Sequence, residues 1–382
     1  MSELTTENTN RKGLHEYLFS TVCAGAIFLA AGHAAADEVE RPAVWIELGG
    51  QLERLVGNQE VFSLPFLNSF DEHGFASVLP VQRGAHYSSG IEGTLELDPR
   101  GTDWIFSASV RYGRSNASRS RYQRQPEPLV SGRTLYGRPL QTHLDPAPHL
   151  NASSKNAETH AVVDFSAGRD VGVGLLSKFD QSKVSFGIRI AQFTSNTRAN
   201  INGVPIVFRS GTNAGAIGGV FTSHRHFSGY ADVLRSFRAV GPSITWTAST
   251  GISRPAEDKA LNFDWGINAS LLFGRQKVHG RSDAAELHYK TFLHISTFAF
   301  DFYKGVASSY QQPHSLARSR SVIVPDVGGF AAVSFRYASA KVTLGYRGDF
   351  FFGAMDDGIN ARKSSDIGFY GPFATISIGL GG

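Results

Sequence analysis

The 382-residue sequence predicts an all-β fold, a closed antiparallel transmembrane up-and-down β-barrel of about twelve strands behind a cleaved signal peptide. Three observations predict it. Apolar and polar residues alternate with period two along most of the chain, as strands with one apolar and one polar face require. The regular segments run to about ten residues, the length of a tilted membrane crossing. Short turns alternate with long polar loops, the asymmetry of bacterial outer-membrane barrels.

Composition agrees. The chain has 41 glycines, 28 phenylalanines and 12 tyrosines but one cysteine, which excludes a disulfide scaffold or a cysteine-based zinc domain. Charged residues are 18% and the mean hydropathy is −0.15, so a polytopic helical membrane protein is excluded too.

At the N-terminus, Arg11 and Lys12 precede an apolar run from Tyr17 to Ala31, and Ala34-Ala35-Ala36 follows. A basic region, an apolar core and a small-x-small motif make a secretory signal peptide over 1–36, with cleavage after Ala36. Cys23 is not expected to carry lipid, because Val22 precedes it where a small residue is needed. The barrel domain then occupies 37–382.

The strands follow in order. Val44, Ile46, Leu48 and Leu52 alternate with Glu47, Gln51 and Glu53; Ile91, Leu95 and Leu97 with Glu92, Thr94 and Glu96; Phe106, Ala108, Val110 and Tyr112 with Ser107, Ser109 and Arg111. Val163 and Phe165 oppose Asp164. Phe186, Ile188 and Ile190 oppose Ser185 and Arg189. Segments 227–238 and 287–298 are less regular, and 244–249 and 263–273 are clean. The final strands are 333–336, 342–350 and 376–380. Short turns are expected at 98–102, 238–242 and 337–340, and long loops at 54–86, 115–157, 196–225, 301–325 and 353–366. Trp104, Tyr112, Tyr337, Tyr346, Phe350, Phe352 and Tyr370 are candidates for the interfacial girdles.

The competing fold is a soluble sandwich, which also alternates. Charges at mid-strand on the polar face weigh against it, since a dry core could not hold them cheaply. A closed barrel also leaves no backbone group unpaired in hydrocarbon.

The stretch Val342-Thr-Leu-Gly-Tyr-Arg-Gly-Asp-Phe-Phe-Phe352, then Gly368-Phe-Tyr-Gly-Pro-Phe373 and a closing strand, resembles Gram-negative outer-membrane porin-like proteins. It is most similar to the Legionella-type major outer-membrane protein group, as is Phe237-Arg-Ala-Val-Gly-Pro-Ser243. The chain departs from many such barrels in ending Leu380-Gly381-Gly382 rather than on an aromatic. The resemblance implies a bacterial outer-membrane location, insertion by the barrel assembly machinery, and contact with outer-membrane lipid and lipopolysaccharide.

Parity assigns Glu47, Glu92, Glu96, Arg111, Asp164, Arg189, Arg336, Lys341, Arg347 and Asp349 to the lumen. Opposed charges there could set a transverse field selecting small polar solutes, the porin-like channel reading. The channel is the function the sequence favours; the alternative is that these charges pair across a narrow lumen and fill it, leaving a structural or adhesive surface barrel. The 115–157 segment carries Arg119, Arg121, Arg124, Arg133, Arg138 and Lys155 against Glu127 and Asp145. As an extracellular basic loop it suits lipopolysaccharide phosphates or anions; nucleic acid is not an expected partner at a cell surface. An outer-membrane hydrolase is the competing enzyme class. Its histidine candidates, His224, His226, His288 and His294, accompany no nucleophile motif and no third metal ligand, so neither catalysis, a metal nor a cofactor is expected. Association into a homo-oligomer stays open.

Overall fold

The computed structural model describes residues 44–57, 87–100, 102–124, 134–135, 138–139, 149–171, 181–204, 209–212, 219–252, 259–295, 300–359 and 361–380. The signal peptide lies outside them. Ten long strands form one antiparallel sheet: β1 (Val44–Val56), β2 (Tyr87–Leu97), β3 (Trp104–Arg124), β4 (His149–Asp170), β5 (Gln181–Val204), β6 (Gly219–Gly251), β7 (Lys259–Ile295), β8 (Phe300–Tyr337), β9 (Ala340–Asp356) and β10 (Ser364–Leu380). Each pairs with its neighbour in sequence, and β10 returns to pair with β1 through Val44↔Leu380 to Val56↔Gly368, which closes the barrel. The short segment Arg209–Thr212 adds to the far end of β6, and Thr134–Leu135 pairs with Arg138–Pro139 in a separate small hairpin.

Ten strands replace the expected twelve because two pairs of segments are each one strand. Segments 227–238 and 244–249 join in β6, and 263–273 joins the described part of 287–298, through Ile295, in β7. The expected turn at 238–242 is mid-strand. Proline has no N–H to give a ladder and is tolerated where pairing lapses. Here Gly241 and Pro242 drop out of the β6–β7 register, between Ser270↔Ser243 and Phe273↔Val240, yet stay paired with β5 as Arg189↔Gly241 and Ile188↔Pro242. Gly371-Pro372 repeats the device: the β10–β1 register skips from Gln51↔Phe373 to Arg54↔Tyr370. A Cβ on Gly371 would collide with the Leu52 carbonyl oxygen, so only glycine permits that approach. The expected turn at 337–340 does form, from Ala338 and Ser339, with Ala338 at a φ of 49°.

The expected loop 301–325 is also strand, within β8, and the loops expected at 115–157 and 196–225 are strand for much of their length. β7 has 37 residues, about 120 Å of extended chain, far beyond a bilayer. The wall is therefore low at β1 and β2, of 13 and 11 residues, and tall from β3 to β8.

The outer face carries a continuous apolar band. Leu48, Ile91, Phe106, Phe165, Phe186, Ile188, Ile267, Phe273, Ile323, Phe335, Leu344 and Ile376 all point outward and are exposed. From Ile323 to Phe335 on β8 the band is roughly 28 Å deep, taking about 3.3 Å per residue and a tilt of about 45°, which matches a bilayer core. This is the surface of a membrane-embedded barrel. Trp104 and Tyr337 lie at its lower edge and Tyr112, Phe350 and Phe352 toward its upper edge. Tyr346 sits mid-strand, and Tyr370 packs on Phe350 with ring centroids 6.3 Å apart.

Candidate functional site: the charged lumen

Opposite side-chain parity fills the interior with polar and charged residues, arranged in successive layers. At the mouth nearest the termini, Lys341 Nζ lies 2.6 Å from Asp264, and Lys183 Nζ lies 2.5 Å from Glu96. The Ser377 hydroxyl donates to Glu47 at 2.7 Å. Arg336, more exposed, rests its guanidinium 5.1 Å from the Trp45 ring centroid.

The next layer spans the lumen. Arg189 from β5 is 3% exposed and is held from three strands: by Asp164 of β4 at 2.7 Å, Asp326 of β8 at 2.8 Å and Asn268 of β7 at 2.8 Å. Asn268 also donates to Asp349 of β9 at 3.4 Å. Asp349 pairs with Arg111 of β3, and Arg347 of β9 pairs with Glu92 of β2. Arg347 in addition sits 4.4 Å from the Phe373 ring centroid. Three guanidiniums thus face four carboxylates, and with Asn268 seven strands are tied across the interior. Charges taken from water need such pairing and hydrogen bonding to persist. Gly328 makes room for it: a Cβ there would strike Asp349 Oδ1 and lie 2.8 Å from Asn268 Nδ2.

Above lies an apolar layer. Phe193, Phe237, Phe351 and Phe369 cluster with Val162, Leu272 and Val324 inside the barrel. Phe193 is fully buried, with ring centroids 5.5 Å from Phe237, 4.7 Å from Phe351 and 5.4 Å from Phe369. His160 of β4 borders this layer, its Nε2 3.2 Å from Glu53 and its ring 3.9 Å from Phe369. Gly113 leaves the space, since a Cβ there would collide with the His160 ring and the Glu53 carboxylate.

The β9–β10 tip bends inward as a cover. The bend occurs at a register shift between Phe351 and Met355, where Gly353 has a φ of +68° that favours glycine. Arg318 of β8 donates to the Gly358 carbonyl at 2.6 Å and the Ile359 carbonyl at 2.9 Å, and pairs with Asp356 at 3.2 Å. The buried Arg235 of β6 donates to the Asp357 carbonyl at 3.2 Å. Ile359 is fully buried among Val233, Val278 and Leu316.

All ten residues that parity assigned to the lumen are on inward positions, and eight of them are drawn into ion pairs. Glu47 accepts from Ser377 and Arg336 lies at the mouth. The charges do not stand as separate rows across a water-filled constriction; they pair with one another. Asn268, Asp264, Asp326, Lys183, His160, Arg235 and Arg318 also belong to the interior and were not singled out. Inward parity was a usable signal for Asp264, Asn268, Lys183 and His160, whereas Arg235 and Arg318 belong to segments read as irregular or as loop and Asp326 falls between the expected loop 301–325 and the strand at 333–336. Of the basic segment, Arg119, Arg121 and Arg124 belong to β3 and Arg138 to the small hairpin, while Arg133 lies outside the described residues. It is not one loop, because β3 continues to Arg124 and β4 starts at His149. His224, His226, His288 and His294 are on β6 and β7, beyond the apolar band.

No family model matches the chain and no curated protein matches it, so the finer likeness to the Legionella-type group is not supported. Among solved structures the chain is similar to the transport unit of the autotransporter AIDA-I from Escherichia coli, at 10% identity and a TM-score of 0.23, covering 93% of this chain and 96% of that one. It is also similar to the TodX deltaS2S3 mutant monoaromatic hydrocarbon channel (11% identity, TM-score 0.22, 89% and 91% covered) and the CymD monoaromatic hydrocarbon channel (8% identity, TM-score 0.22, 90% of each). At these scores the closed ring rests on its own strand pairing.

Proposed function

We propose that this chain is a bacterial outer-membrane channel of porin-like type, closed at rest, that passes small hydrophilic solutes when its cover and charged layer give way. The observation that carries the proposal is the charged layer built around Arg189. Filling a barrel needs only apolar side chains, whereas this layer places charged groups from six strands, and an amide from a seventh, at bilayer depth. Water entering it would replace ion pairs with solvated charges and line a passage of both signs. The cover supports gating, since the β9–β10 tip is fastened mainly by Arg318 and Arg235 through carbonyl hydrogen bonds. Export through the 1–36 leader, insertion by the barrel assembly machinery and contact with outer-membrane lipid belong to the same proposal, as does the lack of enzymatic activity.

A second reading, a surface barrel with a permanently closed lumen, is favoured by the fully buried Phe193–Phe237–Phe351 layer. Planar-bilayer recording separates the two. The channel reading expects rare openings from the native chain and frequent stepwise openings from Arg318→Gln/Ile359→Ser, which unfastens the cover. Absence of steps from both proteins overturns it in favour of the surface barrel.

A further inference from the structure

Above the apolar band, the outer face of β5 to β8 holds an arrangement that protein contacts alone do not explain. The in-register row Ile190, Val240, Phe273 and Ile323 is exposed and apolar. Two residues farther from the termini, the corresponding row is Gln192, Arg238, Arg275 and Ser321, and the next is Thr194, Ser236, Lys277 and Ser319. Arg238 and Arg275 are therefore cross-strand partners on the same outward face, both exposed, with Lys277 beside them. Like charges directly opposite destabilise a sheet unless an anion lies between them.

The described residues supply none here. Among the described residues Arg238, Arg275 and Lys277 form no ion pair, and the first outward carboxylate along β6, Asp232, is held by Arg198 at 3.1 Å. Arg275 is oriented instead by a hydroxyl, donating from Nε to Ser319 at 2.6 Å. The cluster begins where hydrocarbon gives way to headgroups. It faces the long-loop end of the barrel, hence the outer leaflet if the termini are periplasmic. An occupant must be anionic at one end and acylated at the other.

We propose that Arg238, Arg275 and Lys277 form a binding site on the barrel wall for the phosphate of outer-leaflet lipid A, with Gln192, Ser319 and Ser321 as additional polar partners and Val240, Phe273 and Ile323 against the acyl chains. Guanidinium forks suit phosphate oxygens bidentately, and two of them bracket one phosphate more firmly than a dispersed basic surface would. The proposal rests on the outer-membrane reading but not on the lumen being able to open.

The test titrates the full-length barrel in detergent micelles with bis-phosphorylated lipid A, monophosphoryl lipid A, phosphatidylglycerol or inorganic phosphate. Native protein, Arg238→Gln/Arg275→Gln, Lys277→Gln and the control Arg169→Gln, an exposed cation of β4 at the opposite rim of the barrel, are compared. Heat-dependent gel mobility reports whether each barrel is folded, so a failure of the barrel itself is seen separately. The expected result is that the double variant loses at least tenfold in affinity for bis-phosphorylated lipid A, Lys277→Gln about threefold, and Arg169→Gln nothing. Should the double variant not fold, Lys277→Gln against Arg169→Gln carries the comparison. Undiminished binding by the folded variants, an equal loss in Arg169→Gln, or equally tight phosphatidylglycerol or inorganic phosphate overturns the site.

Discussion

Replacing Arg189 by methionine removes the centre of the charged layer while keeping an unbranched apolar stem. Asp326, 1% exposed, then loses its 2.8 Å partner, Asp164 its 2.7 Å partner, and the Asn268 amide oxygen a 2.8 Å donor. Breaking a buried ion pair by removing one member costs about 3–5 kcal/mol, because the remaining charge is stranded. That is roughly a hundred- to several-thousand-fold in the folding equilibrium. With a guanidinium slope of about 2–6 kcal/mol per molar, the midpoint should fall by about 1 M. The assay is guanidinium titration in lipid vesicles, read as the fraction of heat-modifiable barrel on gels. Arg189→Met/Asp326→Asn should recover part of the loss, giving a coupling of at least about 1 kcal/mol. A single-variant cost under about 1 kcal/mol, or strictly additive losses, would refute the interlocked layer.

Three further outcomes are expected in the same titration. Phe193→Ala empties the centre of the aromatic layer and should cost about 3–5 kcal/mol, with an increase in bilayer conductance if that layer seals the lumen. Gly328→Ala drives a methyl into Asp349 and Asn268 and should cost about 1–3 kcal/mol, whereas an unchanged midpoint would mean that the layer yields easily. Ile267→Arg puts a cation on the lipid face and should cost about 2–4 kcal/mol in vesicles; a neutral result would place β7 outside hydrocarbon.

The inward and outward faces were legible because period-two alternation needs only neighbouring residues. Phe186, Ile188 and Ile190 on one side of β5 and Arg189 on the other follow from parity alone. What the inward charges do was not legible, since the partners are remote in sequence: Arg111 and Asp349 are 238 residues apart, Arg347 and Glu92 are 255 apart. Strand count failed for a related reason. Gly241-Pro242 reads locally as a turn, but the β5 ladder carries the chain through it while only the β7 ladder lapses. Likewise 301–325 is polar enough to read as loop, because beyond the bilayer a strand has no lipid face to make it alternate strongly. The inward cover depends on Gly353 and on Arg318 reaching Gly358 and Ile359, contacts that no local pattern announces.

The membrane-embedded barrel is tested most directly by single-cysteine scanning along β7 in vesicles containing brominated lipid, from Trp265 to Phe273 with Cys23 replaced where the leader is retained. A fluorophore at 265, 267, 269, 271 or 273 should be quenched by the lipid, and one at 266, 268, 270 or 272 should be protected in every sample that folds. Equal quenching of both sets, or none at the odd positions, would contradict the barrel described here.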